Sequence, residues 1–275
     1  MVLFGGMQEE NSAPPAKDLR LNVMTLAGIG ALACIAADMV HEALGHGTAS
    51  LLIYDPILSL STVAIQNASP SRLVSAAGTV ANVIVGVLSL LLLRRRRKLT
   101  PSAHFLWAFG AFNLFNVGYL IASAVMNSGD WAAVIGGLSP PWLWRCLLGV
   151  VGIIFYVLSV RWVASFAIDF ANQRQIAIGD GDRLVWPAYL SAGVALTIAS
   201  IFNPISPSLI LGSGVAAAFG LNCGILFVPP IIARNATYHG AGEGRIPFSA
   251  FWLILSVVIS GLFIGILGPG IHFSR

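Results

Sequence analysis

The chain has 275 residues, of which 57% are hydrophobic and only 9% charged, with a formal net charge of +4. Soluble globular domains carry about 25% charged residues, so this composition excludes a water-soluble fold and makes a domain count from length meaningless. The positive balance comes largely from the basic run at 94–98 and calls for no nucleic-acid partner; the expected surroundings are a lipid bilayer.

Residues 1–20 are largely polar, include Pro14 and Pro15, and read as a disordered tail. The run 21–37 contains no charged residue and is long enough for most of a transmembrane helix. It leads directly into Asp38, His41, Glu42 and His46. Composition changes between 51 and 66: Asp55 and Pro56 mark a turn, and 57–65 is rich in Ile, Val, Ser and Thr. That pattern predicts a short β-ribbon or re-entrant segment at the membrane boundary. Further apolar spans follow at about 73–93, 103–126, 142–166, 185–202, 209–232 and 248–267, with prolines near several ends. The expectation is an all-α polytopic membrane protein of about seven transmembrane helices, multi-pass in a bacterial cell membrane. Cys34, Cys146 and Cys223 are single, lie in apolar runs and read as small core residues. Trp107, Trp142, Trp144, Trp186 and Trp252 fit an interfacial belt, and His104, near a span end, reads as interfacial too.

Ionisable side chains inside a membrane span are costly, which makes the cluster at 38–46 a functional candidate. Its pattern is His41-Glu42-Ala43-Leu44-Gly45-His46, one residue longer than the His-Glu-x-x-His of zinc peptidases. In that shorter motif two histidines ligate zinc and the glutamate is the general base. The extra residue changes the geometry. Positions four apart lie about 40° from one another around a helix, whereas positions five apart lie about 140° apart. A shared metal at His41 and His46 therefore predicts a π-type bulge, and Gly45 and Gly47 leave the backbone free to deform there. The form His-Glu-x-x-Gly-His also resembles the zinc motif of dipeptidyl peptidase III over these six residues.

A catalytic zinc takes three protein ligands and keeps one position open. Between 21 and 160 the only acids are Asp38, Glu42, Asp55 and Asp130. Asp130, at the end of the third span, is the better third ligand; Asp38, one turn before His41, suits a hydrogen bond to a ligand imidazole, with a direct ligand role as its alternative. Asn113 and Asn116 lie three apart on one face and read as polar contacts between helices.

Three elements in order then appear: His41-Glu42-Ala43-Leu44-Gly45-His46, Ala77-Gly78-Thr79-Val80-Ala81-Asn82, and Gly129-Asp130. In this order the chain resembles the site-2 protease family of intramembrane zinc metalloproteases over residues 21–135. The resemblance implies a protease-like membrane core at 21–135, with additional transmembrane helices at 136–275. It further implies Zn2+ as cofactor, His41, His46 and Asp130 as ligands, Glu42 as general base, and Asn82 orienting the substrate backbone or its developing oxyanion. The implied substrate is a transmembrane protein whose unwound strand pairs with the β-prone segment. The chain departs from the family pattern in its longer histidine motif, in Thr79 where the family has proline, and in Trp131 where it has glycine.

Twelve of the fifteen basic residues fall inside if the N-terminus is cytoplasmic, which points the histidine motif and Asp130 outward. The family usually turns its site toward the cytosol. Two other classes use the same residues: a transporter or metal-handling protein, for which Gly212, Gly214 and Gly220 could mark a discontinuous helix, and an inactive protease relative that binds membrane proteins.

Overall fold

The computed structural model describes residues 21–69, 71–203 and 205–273, so the tail expected over 1–20 lies outside the described residues. Among the described residues, seven helices are long and apolar enough to cross a bilayer: α1 (Val23–Leu52), α2 (Arg72–Leu93), α3 (Pro101–Met126), α5 (Pro141–Asn172), α6 (Ile178–Ile201), α7 (Pro207–Asn235) and α8 (Ala250–Leu267). A short helix, α4 (Asp130–Ile135), lies between α3 and α5. The chain is thus a helical polytopic membrane protein, and many large apolar side chains, among them Ile84, Leu147, Phe155 and Val257, face outward where lipid would lie.

Helix starts follow local chemistry. Asn22, Ser71 and Thr100 accept hydrogen bonds from the amides of Thr25, Val74 and Ala103, satisfying donors that the first turns of α1, α2 and α3 leave open. Pro101 occupies the first turn of α3, where its missing N–H costs nothing. Helix α1 is the hub of the bundle and packs against α2, α3, α6 and α8. Its entry is tied to that of α8: Asn22 N donates to Ile246 O at 2.8 Å, and the Thr25 hydroxyl donates to Pro247 O at 3.1 Å.

The segment after α1 forms the predicted ribbon. Strand β1 (Ile57–Leu60) pairs antiparallel with β2 (Ile65–Asn67). A third strand that the sequence did not suggest, β3 (Ile271–His272), comes from the end of the chain and pairs with the other side of β1. The strand order β2-β1-β3 leaves β2 as a free edge.

Two readings from the sequence are corrected by packing. Trp107 is 2% exposed and donates from Nε1 to Val163 O at 3.1 Å, so it belongs to the core between α3 and α5 and not to an interfacial belt. His104 is equally buried and stacks on Trp107 at 5.6 Å. Of the cysteines, Cys34 is buried, Cys223 half-buried and Cys146 exposed on α5; all three are free thiols.

Helix α7 is irregular. It winds as a π-helix over Ile210–Gly220 and as a 3₁₀-helix over Leu221–Phe227 before returning to α geometry. The Tyr156 hydroxyl holds the change of winding, donating to Leu221 O at 2.6 Å and accepting from Gly224 N at 2.8 Å.

Candidate metal centre

The inserted residue in the histidine motif has the predicted effect. Helix α1 changes to π geometry over Val40–Gly47 and regains α geometry at Thr48. The wider turn brings both imidazoles to one side, with ring centroids 4.7 Å apart. The inserted position is Gly45 for a steric reason: a Cβ there would meet the Cα of Gly78 at 2.5 Å and the carbonyl of Ala77 at 2.8 Å. Gly78 is equally constrained, since its own Cβ would meet His46 Nε2 at 2.5 Å and His41 Nε2 at 2.7 Å. Two glycines thus let α1 and α2 approach backbone to backbone, and the second leaves the space between the imidazoles open.

Helix α4 supplies the third group. Gly129, at φ 82°, turns the chain after α3 so that Asp130 starts α4. Asp130 Oδ2 lies 3.0 Å from His41 Nε2 and 3.3 Å from His46 Nε2. The other ring nitrogens are also engaged: His41 Nδ1 meets Asn82 Oδ1 at 2.8 Å, and His46 Nδ1 meets the carbonyl of Val74 at 2.6 Å. A neutral imidazole donating from Nδ1 presents a lone pair at Nε2. Both lone pairs then point at a carboxylate oxygen, an arrangement that a cation among the three atoms makes favourable. Burial pushes the Asp130 carboxyl up, but without an ion the protonated rings of His41 and His46, donating to it and carrying positive charge, outweigh burial and hold the group well below the usual carboxylate range. Glu42 lies beside them: the ligand atoms of His41, Glu42 and His46 are all within 4.8 Å of one another, a group that could hold a metal ion.

Asn82 is fully buried behind His41 and does not line the cavity in front of it. Its amide nitrogen donates to Ala37 O at 2.9 Å and to Asn113 Oδ1 at 2.8 Å. With its oxygen on His41, it fixes the ring's tautomer and direction. Asn113 supplies the helix-to-helix contact expected of it. Asp38 makes no hydrogen bond to either imidazole; its Oδ2 is buried and has no partner.

The two departures after the histidine motif touch each other. Trp131 Nε1 donates to the hydroxyl of Thr79 at 3.0 Å, pinning α4 to α2 one residue beyond Asp130 and one beyond Gly78. No residue of α4 is fully buried; besides its half-buried packing on α2, α3 and α5, this bond, the Asp130 contacts and Arg72 Nη2 on Gly136 O at 2.6 Å hold it in place.

A cavity of about 390 Å³ opens in front of His41, Glu42, His46 and Asp130, walled on its far side by Val63, Ile65 and Asn67 of the ribbon. The ribbon is fastened to the histidine segment by a short relay: Asn67 Nδ2 donates to Ser50 Oγ at 2.6 Å, and Ser50 Oγ donates to His46 O at 2.8 Å. The free edge of β2 therefore stands over the candidate centre. Comparison with family models, with curated proteins and with solved structures finds no match to this chain.

Proposed function

We propose that this chain is an intramembrane zinc metalloprotease that hydrolyses peptide bonds of membrane-embedded substrates. The observation that carries the reading is Asp130 Oδ2 set between two imidazole Nε2 atoms whose tautomers are fixed from behind, with Glu42 in the same cavity. The donor set fits zinc. Ligands about 2.0–2.1 Å from a tetrahedral zinc lie about 3.3 Å from one another, close to the observed Nε2 to Oδ2 separations. Gly78 keeps that space free of a Cβ.

In this reading His41, His46 and Asp130 would hold the ion, which when bound would supply Lewis-acid polarisation of the scissile carbonyl and acidify water. Glu42 takes the proton of the attacking water and passes it to the leaving amine. Its Oε2 is buried and carries no hydrogen bond. Asn82 acts through His41, by holding its ring. A substrate helix has its carbonyls shielded by its own hydrogen bonds and must unwind before cleavage. The free edge of β2 suits the unwound strand, which can add to the sheet by backbone pairing.

The test is proteolysis of a transmembrane reporter by purified protein supplied with zinc, comparing wild type with Glu42→Gln. The variant keeps size and hydrogen bonding but lacks the base. It should retain zinc and lose roughly 10²–10⁴-fold in cleavage. Wild-type protein that binds zinc yet cleaves no transmembrane reporter, or a Glu42→Gln variant as active as wild type, refutes the assignment.

A further inference from the structure

The metal centre leaves one carboxylate of α1 unused. Asp38 lies one turn before His41, makes no hydrogen bond to either imidazole, and borders a separate cavity of about 20 Å³ among α1, α3, α6 and α7. That volume is about one water-sized sphere. His41 and Tyr119 line both this cavity and the large one, and form the partition between them; their rings lie 5.0 Å apart.

Three of the polar side chains around the small cavity, Asp38, Asn116 and Asn222, offer acceptor oxygens. Asn116 donates its amide nitrogen to Phe112 O at 2.9 Å, which leaves its carbonyl oxygen free. Asn222 donates its amide nitrogen to Ala218 O at 3.0 Å and to Cys34 Sγ at 3.6 Å, which leaves its oxygen free as well. Asp38 adds a carboxylate whose Oδ2 is buried without a partner. The Tyr119 hydroxyl and the Cys34 thiol are the adaptable groups, and no lysine or arginine lines the cavity. The Asn222 amide donors are thus committed to Ala218 O and Cys34 Sγ, and one of the two on Asn116 to Phe112 O. Carboxylate and amide oxygens converging without a cationic side chain describe surroundings that suit a hard cation. A buried carboxylate also requires a counter-charge to remain ionised away from water. One formal charge and one water-sized space match a single monovalent ion.

The backbone beside the cavity points the same way. Ala217, Leu221 and Asn222 lie where α7 changes from π to 3₁₀ winding. Irregular backbone at membrane depth is tolerated where it is enclosed by protein or lines a polar cavity, and such breaks supply oxygen ligands to sodium in membrane proteins. We infer that Asp38, with the side-chain oxygens of Asn116, Asn222 and Tyr119, forms a binding site for one sodium ion beneath the metal centre. The inference does not depend on proteolysis; it concerns a second ion held by different residues.

The experiment is ²²Na⁺ binding to the purified full-length chain in nanodiscs, in choline buffer, with wild type, Asp38→Asn, Asn222→Ala and His46→Ala measured side by side. Wild type should bind sodium saturably, one ion per chain, in preference to potassium. Asp38→Asn and Asn222→Ala should weaken binding by about tenfold or more, while His46→Ala, which removes a ligand of the other centre, should leave it unchanged. If Asp38→Asn does not yield folded protein, Asn222→Ala decides. No saturable sodium binding by wild type overturns the inference and assigns the Asp38 pocket to a proton or a water. Binding unaltered by either pocket substitution overturns it as well.

Discussion

Replacing Gly78 by alanine is the most incisive perturbation of the centre because it adds one methyl group where the two imidazoles converge. The new carbon would sit 2.5 Å from His46 Nε2 and 2.7 Å from His41 Nε2, where ordinary contact begins at 3.4 Å. One or both rings must retreat by about 0.7–0.9 Å, several times the roughly 0.2 Å tolerance of metal–ligand distances. Neither ring can swing freely, since Asn82 and the Val74 carbonyl hold them from behind. Overpacking of this kind costs about 1–3 kcal/mol, which corresponds to about 5–150-fold in metal affinity. The assay is metal content by mass spectrometry, followed by competition with a chelator of known affinity. Gly261→Ala serves as control, because a Cβ there meets nothing within 4 Å. Wild-type metal affinity in Gly78→Ala would show that the ion is not held between His41 and His46 at this crossing of α1 and α2.

Asp130→Asn removes the charge at the third position and should lower both zinc occupancy and cleavage, read from metal content and reporter proteolysis on one preparation. Asn82→Ala removes the acceptor on His41 Nδ1 and should cost about 10–100-fold in metal affinity, the usual effect of losing a partner behind a ligand. Asp38→Asn, by contrast, should leave zinc content near that of wild type; a larger loss than with Asp130→Asn would exchange their roles. Reporter fusions after Lys98 should read cytoplasmic and fusions near Ser139 external, as the basic-residue asymmetry requires; the reverse would turn the site to the cytosol.

The π-wound histidine segment was legible because one inserted residue in a metal-binding pattern has a definite angular consequence, and the structure relieves it between Val40 and Gly47. Seven apolar spans and the ribbon at 57–65 were legible from composition alone. The place of Asp130 followed from chain order. Other features depend on contacts between distant residues. Nothing in the sequence tells that Asn82 faces an imidazole and not the cavity, because both positions suit a buried amide. Trp131 and Thr79 each looked like a loss of pattern and prove to be hydrogen-bonded to each other. His104 and Trp107 were misplaced because a membrane helix is apolar on every face, so no polar stripe separates its lipid side from its packed side.

The pairing of β3 with β1 has a consequence for how the chain is threaded. The ribbon follows the first membrane crossing, and β3 follows the seventh, so both lie on the same side only if the number of crossings between them is even. The hydrogen bond from Arg72 to Gly136 makes the same demand of α2 and α3, and the bridge between Leu21 and Ile246 makes it of the six spans from α1 through α7 on the opposite side. Three independent contacts therefore agree on parity, a property that hydropathy alone leaves open whenever a weak span is missed or split. Biosynthesis inherits a constraint from this closure. Strand β3 can join the sheet only after α8 has been made and has returned the chain to the ribbon's side.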